Sequence, residues 1–125
     1  MLVRPSELTH DVIGSAIEVH RAVGPGLFES VYQHCLAAEL SARTIAFATQ
    51  VAVPIAYRDV VLPVTYRLDF LIADQLAVEI KAIERFLPVH DAQLLTYLKL
   101  LGLTEGLLIN FNVSVLKQGI RRVLL

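Results

Sequence analysis

From Tyr66 to Ile83 the chain reads YRLDFLIADQLAVEIKAI, two segments of strand length and strand composition that nevertheless carry Asp69, Glu79 and Lys81. Side chains alternate faces along a strand, so Tyr66, Leu68, Phe70 and Ile72 share one face while Arg67, Asp69 and Leu71 share the other. By the same rule Leu76, Val78 and Ile80 oppose Ala77, Glu79 and Lys81. Each segment offers a wholly apolar face to a core and a second face bearing charge. Joined as a hairpin, the two bury their apolar faces together only if partner numbers sum to an even value. A two-residue turn at Asp74 and Gln75 makes that sum odd and sends the charges to opposite sides. The pattern therefore predicts a three-residue connection or a bulge near Asp74, which brings Asp69 beside Glu79 and Lys81. Asp-Gln is also not the Asn-Gly or Asp-Gly pair of a tight hairpin.

Two carboxylates brought together do not both stay ionised cheaply without a cation between them. A hard divalent ion taking oxygen ligands resolves this, and Mg²⁺ suits a site with few protein carboxylates and several waters. Lys81, on the same face as Glu79, adds a point charge that can hold an attacking water or stabilise charge developing on a phosphate. Spacing alone fits equally an ordinary solvated face with a Glu–Lys neighbour pair.

Around these strands the periodicity is helical. Ser6 can cap a first helix with Glu7 and Asp11 in its opening turns, and Val12, Ile13, Ala16, Ile17, Val19 and Val23 follow at helical spacing. The GPG at Gly24 to Gly26 stops it. A second helix is expected from about Leu27 to Arg43, with Leu27, Val31, Cys35, Leu36 and Leu40 as its inner stripe. Ile45 to Tyr57 reads as a strand with Pro54 at its end or on an exposed edge. Arg58 to Val60 reads as a turn into a short strand, Val60 to Val64. Pro88 precedes a helix of about Val89 to Leu101, ended by Gly102. Glu105 to Asn112 reads as a buried strand, and Ile120 to Leu125 as an edge strand. On the third helix His90, Gln93 and Tyr97 form one polar stripe, and on the second Glu29 and Tyr32 are three apart; each alone fits a helix's wet face.

Composition bounds the function. At 125 residues, 55% of them hydrophobic, the chain has material for a single domain over residues 1–125. Eleven Lys and Arg stand against twelve Asp and Glu, so there is no strongly basic field to draw in nucleic acid, and any phosphate-binding surface must be local or shared with a partner. Cys35 lies in an apolar helical pattern and reads as a small core residue, which suits a reducing cytoplasm. No apolar leader opens the chain. The longest uncharged run, Thr44 to Tyr57, is broken by Gln50 and Pro54 and falls short of the roughly 18 residues of a spanning helix, so a soluble protein with no membrane partner is expected. The high apolar content points to a buried self-interface, a homo-oligomer or a protein partner.

Taken in order, these residues resemble the GxxExxY family of the PD-(D/E)XK nuclease superfamily. The naming motif stands as GLFESVY from Gly26 to Tyr32; the superfamily pattern stands as Asp69, then Glu79, Ile80 and Lys81, then Gln93 and Tyr97 in VHDAQLLTYLK, and GLLINFN follows. The likeness runs from about Glu7 to Val123. It implies an α/β, restriction-endonuclease-like fold: an αβββαβ core with a central mixed sheet flanked by helices, an additional N-terminal helix, and the site at the opened edge of the central strands. It further implies Mg²⁺-dependent hydrolysis of nucleic acid, DNA being the expected substrate, with Mn²⁺ able to substitute. Asp69 and Glu79 would ligate the metal, joined by the Ile80 carbonyl and by Glu29 directly or through water. Lys81 would orient or activate the water, Gln93 would contact the scissile phosphate or a metal-bound water, and Tyr32, Tyr97 and, by stripe geometry alone, His90 would line the substrate site. A small phosphoester would use the same residues. The alternative is a non-catalytic or partner-dependent binding or assembly module that retains the nuclease fold.

Overall fold

A computed structural model describes residues 5–125; the side chains of Pro5 and Ser6 lie outside that description, and with them the cap expected at Ser6. Helix α1 spans Pro5–Val23 and α2 spans Glu29–Ala42, followed by strands β1 (Phe47–Tyr57), β2 (Val60–Ile72) and β3 (Leu76–Lys81). Helix α3 (Pro88–Leu101), strand β4 (Glu105–Asn110), a 3₁₀ turn and strand β5 (Ile120–Leu124) complete the chain. The five strands lie in the order β1-β2-β3-β4-β5, all neighbours antiparallel except β3 and β4. Parallel neighbours need a long crossover, and α3 supplies it. This is the expected restriction-endonuclease-like αβββαβ core, mixed sheet between helices, with α1 as the additional N-terminal helix. Among the described residues no helix is long and apolar enough to cross a membrane.

Two apolar layers sandwich the sheet. On one side Val12 and Ala16 of α1 and Leu36 and Leu40 of α2 pack on Phe70, Val78, Ile80 and Ile109. On the other, Leu94 and Leu98 of α3 pack on Leu68, Ala77 and Leu108. Burial of both faces explains why β3 and β4 are apolar at nearly every position. Gly106 lets α3 lie close, since a Cβ there would stand 2.9 Å from a Leu94 methyl and 3.1 Å from the Ala77 carbonyl.

The β2–β3 register is the even-sum one: Phe70 faces Val78, Leu71 faces Ala77 and Ile72 faces Leu76. Its connection has three residues, Ala73 to Gln75, and Ala73 and Asp74 both take left-handed φ, 52° and 55°.

Three expectations need correction. The segment Val60 to Val64 is no separate strand; it is the outer half of β2, joined to β1 by a two-residue turn in which Arg58 and Asp59 have φ of 47° and 61°. Two consecutive left-handed residues match the twist of a tight hairpin, so the strand has no reason to break. Leu68 does not share a face with Phe70 and Ile72, because it packs under α3 while they pack under α1 and α2. Gln50, beside this point on β1, has a left-handed φ of 51°, which interrupts the pleat and turns the paired strands over. Finally, α2 begins two residues later than expected, at Glu29. Its buried stripe is Tyr32, Leu36 and Leu40, Cys35 is half-buried, and Leu27 and Val31 are exposed.

Candidate active site

The β2–β3 ladder ends at Phe70 and Val78, one step before the two acidic residues. There the carboxylates take over the backbone hydrogen bonding. The N–H of Asp69 donates to Glu79 Oε1 at 3.0 Å, and the N–H of Ile80 donates to Asp69 Oδ2 at 2.8 Å. Each acidic side chain thus bonds the opposite strand, which fixes both where the strands part. Lys81 Nζ stands 3.8 Å from Glu79 Oε2. The even register therefore assembles Asp69, Glu79 and Lys81 into one group.

Burial and proximity set the electrostatics. Burial, then repulsion from Asp69, pushes the Glu79 carboxyl up to about 7, against the pull of the Asp69 N–H and Lys81. Asp69 is raised chiefly by burial, with the Ile80 N–H and Lys81 opposing. Glu29, on the first turn of α2, is raised by burial, lowered by Lys81 and raised by Asp69, so it feels both charges across the cleft that it shares with Asp69. These are carboxyls whose negative charge the fold crowds together and only partly compensates.

Helix α3 flanks the other side. Gln93 Nε2 donates to the Tyr97 hydroxyl at 2.9 Å, and both residues line a second cleft of about 410 Å³ with Tyr66. Burial, and after it the Glu79 charge, pushes the Tyr97 hydroxyl up to about 12, which keeps it protonated.

Two expected site residues are placed elsewhere. Tyr32 is fully buried: its ring stacks on Phe111 with centroids 4.5 Å apart, and its hydroxyl donates to the Gly24 carbonyl at 2.6 Å and accepts from the Leu27 N–H at 3.2 Å. It latches the glycine turn, where Gly26 has φ of 92°, and so aims α2. His90, the third residue of α3, accepts the Leu87 N–H on Nδ1 at 2.9 Å and caps the helix. Neither residue lines either cleft. Ile80 engages Asp69 through its N–H, and its side chain is in the core.

Three side chains that periodicity does not mark, Gln33, Gln50 and Asn110, support the site. Gln33 Nε2 donates to Asp69 Oδ1 at 3.1 Å, and Gln50 Nε2 reaches the same oxygen at 3.5 Å. Asn110 holds the loop after Lys81, accepting the Ile83 N–H at 3.0 Å and donating to the Ile83 carbonyl at 2.9 Å. Signals existed: Gln33 is one helical turn beyond Glu29, and Gln50 is a polar break in the uncharged run.

Among the described residues no three His, Cys, Asp or Glu side chains are grouped to hold a metal ion. The acidic donors here number two, Asp69 and Glu79, with Glu29 across the cleft. No curated protein and no solved structure matches the chain in comparison searches. A sequence profile of the PD-(D/E)XK nuclease superfamily, however, matches residues 6–123, a span that takes in every acidic, basic and amide side chain described above. On that match over nearly its whole length, the chain belongs to the PD-(D/E)XK nuclease superfamily.

Proposed function

We propose that the protein is a Mg²⁺-dependent nuclease of the GxxExxY branch that hydrolyses phosphodiester bonds in nucleic acid, DNA first among the candidates. The observation that carries this reading is the interlocked pair Asp69 and Glu79 with Lys81 beside it. Membership of a nuclease superfamily, whose members generally use divalent metals, supports it.

The donor set fits a hard cation: every candidate ligand is oxygen, and the crowded carboxyls gain from a positive charge between them. Asp69 and Glu79 would hold the ion, joined by the Ile80 carbonyl and by Glu29 directly or through water. When bound, the ion lowers the pKa of a water and neutralises charge developing on phosphate. Lys81 orients the attacking water and stabilises the same charge. The Gln93 amide contacts the phosphate oxygen, held by the Tyr97 hydroxyl, which at a pKa of about 12 serves as a hydrogen-bonding group and not as a base.

The test is incubation of the pure protein with single-stranded, duplex and branched DNA, and with RNA, in Mg²⁺ or Mn²⁺. Asp69→Ala should abolish cleavage and Lys81→Ala should lower it by about 10²–10³-fold; activity unchanged in both would belong to a contaminant or another site. A partner-dependent reading draws on one observation, the exposed apolar outer arm of β2 at Val60, Val61 and Val64. It predicts that cleavage appears only after a protein partner or a second copy is added.

A further inference from the structure

The cleft beside Asp69 has a volume of about 660 Å³, within the roughly 300–1,000 Å³ typical of sites for small organic ligands. Its walls away from the carboxylates carry no Lys or Arg. They come from Phe47 and Thr49 of β1, from Gln50, and from Gln33 and His34 of α2. The Phe47 ring is half-buried, leaning on Phe70 with centroids 5.8 Å apart at 55°, so part of its surface borders the cleft. Gln50 Nε2 donates to Gln33 Oε1 at 3.3 Å, and both amides reach Asp69 Oδ1. After these bonds, one side-chain N–H of Gln33 and the side-chain Oε1 of Gln50 have no partner among the described residues, while the Gln50 backbone carbonyl accepts from Arg67 Nη1 at 3.4 Å. A donor and an acceptor thus stand side by side, next to an aromatic ring.

Base edges are read by such amide pairs, and bases stack on such rings. No Lys or Arg that could instead hold phosphates lines this cleft, and three of the cations are drawn to carboxylates elsewhere: Arg43 to Glu39, Arg121 to Asp91, and Arg122 to Glu105. With a net charge of −1, the chain has little to offer the backbone of a duplex, whose bases are stacked out of reach.

We infer that this cleft receives one unpaired base of single-stranded DNA or RNA, beside the phosphodiester presented to Asp69 and Glu79. The inference rests on the nuclease reading and adds a substrate class to it. Phe47 supplies the stacking surface, and Gln33 and Gln50 supply the edge contacts while holding Asp69 in place.

Fluorescence anisotropy in metal-free buffer tests it, with labelled single-stranded DNA, single-stranded RNA, the matching duplex, and a strand of abasic residues. The single strands should bind more tightly than the duplex, and removal of the bases should weaken binding by at least about fivefold, the lower end of one base–aromatic stack. Phe47→Leu, which keeps an apolar side chain against Phe70, should weaken binding of the normal strand alike and leave the abasic strand unaffected. The DNA and RNA arms decide between the two sources of the base. Equal affinity for normal and abasic strands, or a preference for duplex, overturns the base cleft while metal-dependent cleavage keeps the nuclease reading. Failure to bind or cleave any nucleic acid removes both.

Discussion

Glu79 takes the backbone N–H of Asp69 on one carboxylate oxygen, and this buried closeness, through desolvation first and Asp69 repulsion second, pushes its pKa up to about 7. An exposed Glu titrates near 4.5. Between those two values the folded protein holds a proton that the unfolded chain has released, so stability falls as pH rises through the window. The destabilisation is complete above about pH 7 and absent below about 4.5. In metal-free buffer the melting temperature should therefore be higher at pH 5.5 than at pH 8, and Glu79→Gln should flatten the slope. An unchanged slope in that variant would assign the pH dependence to other groups.

The same crowding makes a divalent ion stabilising. Ligand at about a hundredfold excess over its Kd adds about 2.7 kcal/mol, and for a chain of this size that raises the melting temperature by roughly 10 °C. Mn²⁺ at pH 8 should give such a rise, EDTA should reverse it, and Asp69→Ala should remove it. This readout needs no substrate and separates metal binding from turnover.

Lys81 is the cation nearest the pair, and its predicted role is in the chemical step. Lys81→Ala should lower single-turnover cleavage by about 10²–10³-fold, the size of effect seen when one charge-stabilising donor is removed. Oligonucleotide affinity measured in EDTA should change far less. A loss confined to affinity would make Lys81 a docking residue.

How far the chain disclosed these features depends on the range of the interactions. Register and charge placement around Asp69 and Glu79 follow from alternation and from the parity of the connection, both local properties, and the three-residue link at Ala73 to Gln75 bears the argument out. The start and stop of α3 at Pro88 and Gly102 are equally local. The stripe of α2 differs from the periodic expectation because the helix begins at Glu29, after an extended Phe28, which moves burial from Val31 to Tyr32. The contacts of Gln33 and Gln50 with Asp69 span 36 and 19 residues, a distance that no periodicity encodes. The ion pairs of Arg121 with Asp91 and of Arg122 with Glu105 span 30 and 17 residues and are equally invisible to periodicity.

Tyr32 offers a direct check of a motif residue placed in packing. Tyr32→Phe keeps the stack on Phe111 and leaves the Gly24 carbonyl and the Leu27 N–H without the hydroxyl. The cost should be about 1–2 kcal/mol in urea unfolding, as for lost neutral hydrogen bonds. Tyr32→Ala should cost about 3–5 kcal/mol by adding a cavity under α2. Substrate affinity of the Phe variant should match that of the parent protein, whereas a residue touching substrate would shift it.

Asn110 carries the last prediction, since it is buried and anchors the loop that leaves the site at Lys81. Its carbonyl accepts from Ile83 N–H and Asn112 N–H, and its amide donates to the Ile83 carbonyl. Asn110→Ala loses all three bonds and should cost about 2–4 kcal/mol at any pH. Asn110→Asp keeps both acceptor roles but sets an oxygen against the Ile83 carbonyl when ionised. Once protonated, the carboxyl can donate to that carbonyl and restore the third bond. Asn110→Asp should therefore approach the parent melting temperature as pH falls while Asn110→Ala stays low. If the two variants keep a constant gap across pH, the bond to the Ile83 carbonyl is not what holds the loop.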